Sequence, residues 1–161
     1  MWNPYCDIQQ HRKEFMEYYY GDAAPILDKY LNLLCDYTEK DNYHLYVQDI
    51  QRPSALSEER IDEYMLLFDE AEKAVAGDGI ILSRVQKARL SLRWVRMHWR
   101  NLDGIFDADE INSFFTDLRA HNISRIDEWC NLERSYRALL DGRDRGVHYT
   151  TPFRYDPETI L

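Results

Sequence analysis

The chain has 161 residues, 45% of them apolar and 30% charged, with a formal net charge of −9; that is enough chain for one domain with a core of its own. With 6 glycines and 5 prolines the composition favours long regular elements over a loop-rich all-β architecture. The acid surplus argues against nucleic acid as a partner, because neutralising phosphates takes an excess of Lys and Arg.

Three cysteines, Cys6, Cys35 and Cys130, stand far apart and form no CxxC pair, so neither a zinc site nor a disulfide framework is expected. The start, MWNPYCDIQQHRKEF, lacks the charged-then-apolar pattern of a signal peptide, and no apolar run reaches membrane-spanning length. No membrane insertion is expected. The chain reads either as a cytoplasmic protein or as a piece of a longer exported one.

The first helical period runs from Ile8 to Tyr20, gathers Phe15, Tyr18 and Tyr19 near its end, and closes at Gly21. Asp22 reads as the cap of a second helix, with Pro25 in its first turn and a stripe of Leu27, Tyr30, Leu31 and Leu34. These two helices are expected to form an antiparallel hairpin. Leu45, Val47 and Ile50 hint at a brief extended run within the irregular stretch 41–56, and Pro53 stops any helix from continuing through it.

Ser57 followed by Glu58 and Glu59 predicts an N-cap and acidic first turn for a third helix, with Ile61, Tyr64, Met65, Phe68, Ala71 and Val75 inward and Gly77 as its end. A fourth helix is predicted from Leu82 to Asn101, with Val85, Ala88, Leu92, Val95 and Trp99 inward. Asp107 with Glu110 reads as a capping box for a fifth, which uses Ile111, Phe114, Phe115 and Leu118 and ends near His121 and Asn122. Ser124 with Asp127 is taken to open a sixth, built on Ile126, Trp129, Leu132, Tyr136 and Leu139 and stopping at Gly142. The expected fold is therefore all-α: a single helical domain, with a bundle of about six helices over 8–142, one irregular connection and an extended C-terminal tail over 143–161.

Candidate chemistry is sparse. The fourth helix carries Arg84, Lys87, Arg89, Arg93, Arg96 and Arg100 without one acid. Such a helix could grip phosphate, sulfate or an acidic sugar. The third helix is its charge complement, however, and antiparallel pairing along a shared flank explains both. Asn101, Asp103, Gly104, Asp107 and Glu110 partly match a calcium loop, but the first ligand position falls on Trp99, which has no oxygen to give. The histidines His11, His44, His98, His121 and His148 show no metal-binding spacing. Tyr18, Tyr19 and Tyr20 in a row must point around most of a helix turn, so at least one is expected to face solvent or a partner. No catalytic, cofactor-binding or metal residue is assigned, and no cofactor is expected.

The stretch YYYGDAAPILDKYLNLLCDYTEKDNYHL carries a family resemblance. The aromatic-Tyr-Gly-x-Ala-Ala-Pro turn over Tyr19 to Pro25, the run Tyr30 to Leu34, the piece His44-Leu45, LFDEAEKAV from Leu67 to Val75 and RVQKARLSLRWVRM from Arg84 to Met97 stand in one order. Together, over Phe15 to Leu140, they resemble the helical domain C-terminal to glycoside-hydrolase-like barrels in an uncharacterised family of large bacterial proteins, similar in layout to α-glucuronidases and β-N-acetylhexosaminidases. Cys35 stands where that family more often has histidine, and the sequence after Gly142 has no counterpart.

The resemblance implies a non-catalytic accessory domain of a carbohydrate-active protein, packing on an adjacent catalytic barrel or on a second copy of itself. It places the hydrolytic carboxylates on the barrel, and it makes the parent a candidate glycoside hydrolase located outside the cytoplasm. The alternative is a free-standing cytoplasmic helical interaction module.

Overall fold

The computed structural model describes residues 5–42, 52–126 and 131–140. The protein is all-α, and its described residues build six helices: α1 Ile8–Tyr20, α2 Ala24–Lys40, α3 Glu58–Ala74, α4 Gly79–Leu102, α5 Ala108–Ala120 and α6 Leu132–Leu140. Short 3-10 turns at Gly21–Ala23 and Ser54–Leu56 complete the regular structure. The suggested extended run at 45–50 and the expected tail at 143–161 lie outside the described residues.

The described residues form two compact units, one from 5–42 and 52–96, the other from 97–126 and 131–140, the division falling within α4. In the first, α1 and α2 make the expected hairpin, pinned by Arg12, whose guanidinium lies 2.7 Å from the Asp28 carboxylate and donates to Asn32 at 2.8 Å. Asp22 does not cap α2: it sits in the 3-10 turn, and the cap position belongs to Ala23, which has no side-chain acceptor. The chain reverses too tightly for a separate capping residue. Gly21 takes φ +51°, a backbone conformation that favours glycine, and a Cβ there would also press on Ile81 Cδ1 at 2.8 Å.

α3 is the centre of this unit. Ile61, Tyr64, Met65, Phe68, Ala71 and Val75 are all buried, as the helical period requires, and Leu67 joins them. Tyr64 is fully buried and its hydroxyl donates to the Ala55 carbonyl at 3.0 Å, so its polar tip is satisfied inside the core. The Tyr30 ring meets Tyr64 and Phe68 edge-on, at 5.1 and 5.3 Å. Ser57 caps α3 by accepting from the Arg60 amide. The helix ends at Ala74, ahead of the Gly77 stop expected from the sequence, because the 75–78 turn needs those residues for the reversal.

α4 begins at Gly79, three residues earlier than Leu82, because Asp78 accepts from the Ile80 and Ile81 amides and so provides an unforeseen cap. Val85 and Leu92 are buried as expected, while Ala88, Val95 and Trp99 are only half-buried and Leu90 and Met97 take interior places.

In the second unit Asp107 caps α5 by accepting from the Asp109 and Glu110 amides, each at 3.0 Å. Ile111, Phe114, Phe115 and Leu118 are buried, and His121 and Asn122 end the helix, Asn122 at φ +56°. α6 starts at Leu132, not near Ser124. Ser124 and Ile126 are non-helical, and Asn131 supplies the cap by accepting from the Arg134 amide. Asp127, Trp129 and the Gly142 stop lie outside the described residues. α6 packs on α5 through Phe115 and Tyr136, ring centres 5.0 Å apart, and the Tyr136 hydroxyl donates to Asn112 Oδ1 at 2.6 Å.

Candidate functional site

The basic helix meets acids at three arginines. Arg89 lies 2.7 Å from Asp69 and 3.0 Å from Glu72 on α3, and Arg96 is 3.7 Å from Asp62 on the same helix. Later residues of α4 meet earlier residues of α3, so the two run antiparallel with their charges matched. Arg100 stands 3.7 Å from Glu110. Arg84 turns elsewhere, to the end of α1. Its Nη1 donates to the Tyr19 carbonyl at 2.9 Å and its guanidinium lies 4.4 Å from the Tyr19 ring centre. These contacts commit Arg84, Arg89, Arg96 and Arg100 to the chain's own groups.

The partial calcium-loop pattern dissolves into helix ends. α4 continues through Leu102, Gly104 takes φ +78°, and Asp107 is turned to the α5 amides. Among the described residues no three of His, Cys, Asp and Glu gather to hold a metal. His11 lies exposed on α1, 3.7 Å from Glu14, His98 contacts the Trp99 ring, and His121 sits at the end of α5, while His44 and His148 are outside the described residues. A hollow between Met97, Arg100, Phe106 and Glu110 holds about 10 Å³, room for a single water at most.

What remains is a surface, and it is on α1. Only Met16 of this helix is buried, whereas Ile8, Phe15 and Tyr18 are 73%, 56% and 85% exposed. With His11 they stand three, four and three residues apart, which places them on one face of the helix. Phe15 stacks on Tyr19 at 5.3 Å with the planes 12° apart, and Tyr19 meets Tyr20 edge-on at 4.9 Å. The ladder Phe15, Tyr19, Arg84 stiffens the end of the stripe. Of the three consecutive tyrosines, Tyr18 is the one that faces outward, while Tyr19 and Tyr20 are half-buried. Burial, with the Tyr19 hydroxyl nearby, pushes the Tyr20 hydroxyl above its ordinary pKa, so it stays protonated under ordinary conditions.

From the sequence, Phe15 belongs to a cluster of aromatics gathering at a helix end, and the stripe is not part of that expectation. A signal for it exists: the inward period of α1 has little besides Met16 to occupy it, and the apolar residues follow another line.

No helix of the described residues is long and apolar enough to cross a membrane. Compared with protein-family models, with curated proteins and with solved structures, the chain matches none.

Proposed function

We propose that the chain is a non-catalytic helical accessory domain that works by docking, with the exposed face of α1 as its contact surface. The observation that carries this reading is the stripe of Ile8, Phe15 and Tyr18 on a helix that buries only Met16. Large apolar side chains gathered in one exposed line mark a contact surface more often than a solvated one. The resemblance at Tyr19 to Pro25 and beyond supports a place beside a glycoside-hydrolase-like barrel, where the barrel performs the hydrolysis and this domain packs against it.

The genomic locus, followed by titration, tests that placement. A (β/α)₈ barrel encoded in the same or the adjacent reading frame is expected to bind the purified chain in calorimetry, and Tyr18→Glu is expected to abolish the heat. A barrel that ignores the chain, or a locus without one, removes the carbohydrate connection.

A second reading, a free-standing cytoplasmic interaction module, is supported by the free thiols of Cys6 and Cys35, the latter exposed, which suit a reducing compartment.

A further inference from the structure

We propose that Cys6 and Cys35 are a redox pair, two free thiols that join in a disulfide on oxidation and staple the open end of the hairpin formed by α1 and α2. The pair is independent of whatever docks on α1, and no CxxC spacing announces it. Arg12 fixes the register of the hairpin: its guanidinium meets the Asp28 carboxylate at 2.7 Å and the Asn32 side-chain oxygen at 2.8 Å. Asp28, Asn32 and Cys35 are four and three residues apart, so Cys35 stands on the same face of α2, one turn farther along. α1 runs the other way and begins at Ile8, with Cys6 just outside the Asp7 cap. The level of Arg12 falls between Asp28 and Asn32; from there Cys35 is about 7.5 Å along the axis, and Ile8 about 6 Å in the same direction. The two thiols therefore stand at the same end of the hairpin and at nearly the same level.

Exposure agrees. Of residues 5–11 Cys6 alone is half-buried, while Tyr5 and Ile8 are 93% and 73% exposed, so the protein shields this side chain in part. Cys35 is exposed, although it lies on the face with which α2 meets α1, because the helical part of α1 has ended at that level. Contacting helices stand about 8–10 Å apart at their axes, with Cα atoms about 2.3 Å off each axis. Facing positions thus come into the roughly 4.4–6.8 Å that a disulfide spans. Cys6 precedes the cap, and so it can settle onto Cys35 without unwinding α1.

With glutathione disulfide as the oxidant, atoms and electrons balance. The exposed Cys35 thiolate attacks one sulfur, one glutathione thiolate leaves, and a mixed disulfide remains on Cys35. The Cys6 thiolate then attacks the Cys35 sulfur and expels the second glutathione. Two protein thiols are oxidised, one glutathione disulfide is reduced to two thiols, and both thiol protons pass to the departing glutathiones. The bond closes a loop of about 30 residues and so removes freedom from the undocked chain. It acts on a helix that buries Met16 alone and holds on through Arg12.

The test uses the full chain with Cys130→Ser, which leaves the two thiols of the pair. Treated with glutathione disulfide in native buffer and weighed intact without reductant, it is expected to lose two hydrogens, retain no glutathione and stay a single chain, with Cys6 and Cys35 in one cross-linked peptide on digestion. Cys6→Ser in the same background should instead hold one glutathione on Cys35. Closure should be at least about tenfold faster in native buffer than in urea, because the fold brings the thiols together. Hydrogen exchange of the α1 amides should slow roughly a hundredfold on oxidation and recover with dithiothreitol. A glutathione adduct that persists on the two-cysteine chain, a bond between chains, or closure as fast in urea as in native buffer overturns the pairing. An internal bond that leaves exchange in α1 unchanged overturns the staple. The same digest of the unaltered chain, in which Cys130 must stay outside the bond, covers any loss of folding in the variants.

Discussion

α1 and α3 belong to the same unit and follow the same helical rules, yet one is the centre of the core and the other barely joins it. α3 buries six of its own side chains, Tyr64 and Phe68 almost completely, and matches its acidic flank to Arg89 and Arg96. α1 buries Met16, half-buries Tyr19 and Tyr20, holds on through Arg12, and turns Ile8, Phe15 and Tyr18 outward. A hydrophobic residue on a helix therefore says little until its direction is known: in α3 such residues build the fold, and in α1 they form a surface.

The strongest challenge to this contrast is to remove one aromatic side chain at the centre of α3. Phe68→Ala, at a side chain 1% exposed, should cost about 3–5 kcal/mol in urea unfolding. A cost under half of that would mean that the α3 core is loosely packed.

Tyr64→Phe should cost about 1–3 kcal/mol, because it leaves the buried Ala55 carbonyl without its donor. Its pH dependence adds a second readout. Burial first, then the neighbouring hydroxyls of Tyr37 and Tyr30, pushes the Tyr64 pKa up to about 12 from an ordinary 10.0, with Arg60 opposing. A raised folded-state pKa gives stability that is whole below pH 10 and lost as pH climbs toward 12. The urea midpoint should fall across that window, and Tyr64→Phe should flatten the fall.

Arg89→Met tests the charged flank. It leaves Asp69 and Glu72 without their shared cation. A loss of about 1 kcal/mol is expected, since Arg89 is only 19% exposed but Asp69 is well solvated. The loss should shrink in high salt. An unchanged midpoint at low salt would refute the charge-matching account of α4.

The smallest effect belongs to α1. Phe15→Ala should cost roughly 0.5–1 kcal/mol, the worth of its stack on Tyr19. If dilute Phe15→Ala chains unfolded as readily as those carrying Phe68→Ala, α1 would be part of the core after all.

Much of the architecture is legible in the sequence because it rests on local physics. α1 begins at Ile8 and ends at Tyr20 as its period predicts, and Ser57 and Asp107 cap the helices that they announce. The inward residues expected of α3 and α5 are buried to the last one. A cap is a matter of three or four residues, and a strong apolar period leaves one choice of face. Structure and expectation part where local rules compete. Asp22 has the right chemistry for a cap but lies inside a reversal that Gly21 dictates, and Ser124 loses to Asn131, which stands next to the residues that α6 can pack on α5. Asp78 stands outside the helix expected from Leu82, yet its side chain holds two amides of α4.

Period, caps and charge are written locally, so the amino-acid order is enough to make this protein all-α, to position most of its helices and to give the acids of α3 a basic counterpart in α4. It took the packed chain to bring Arg89 and Arg96 onto those acids, to satisfy Tyr64 at Ala55, and to leave Ile8, Phe15 and Tyr18 outside. Burial belongs to pairs of surfaces. α1 carries a short apolar line of its own, and it stays exposed because, among the described residues, no other surface is turned toward it.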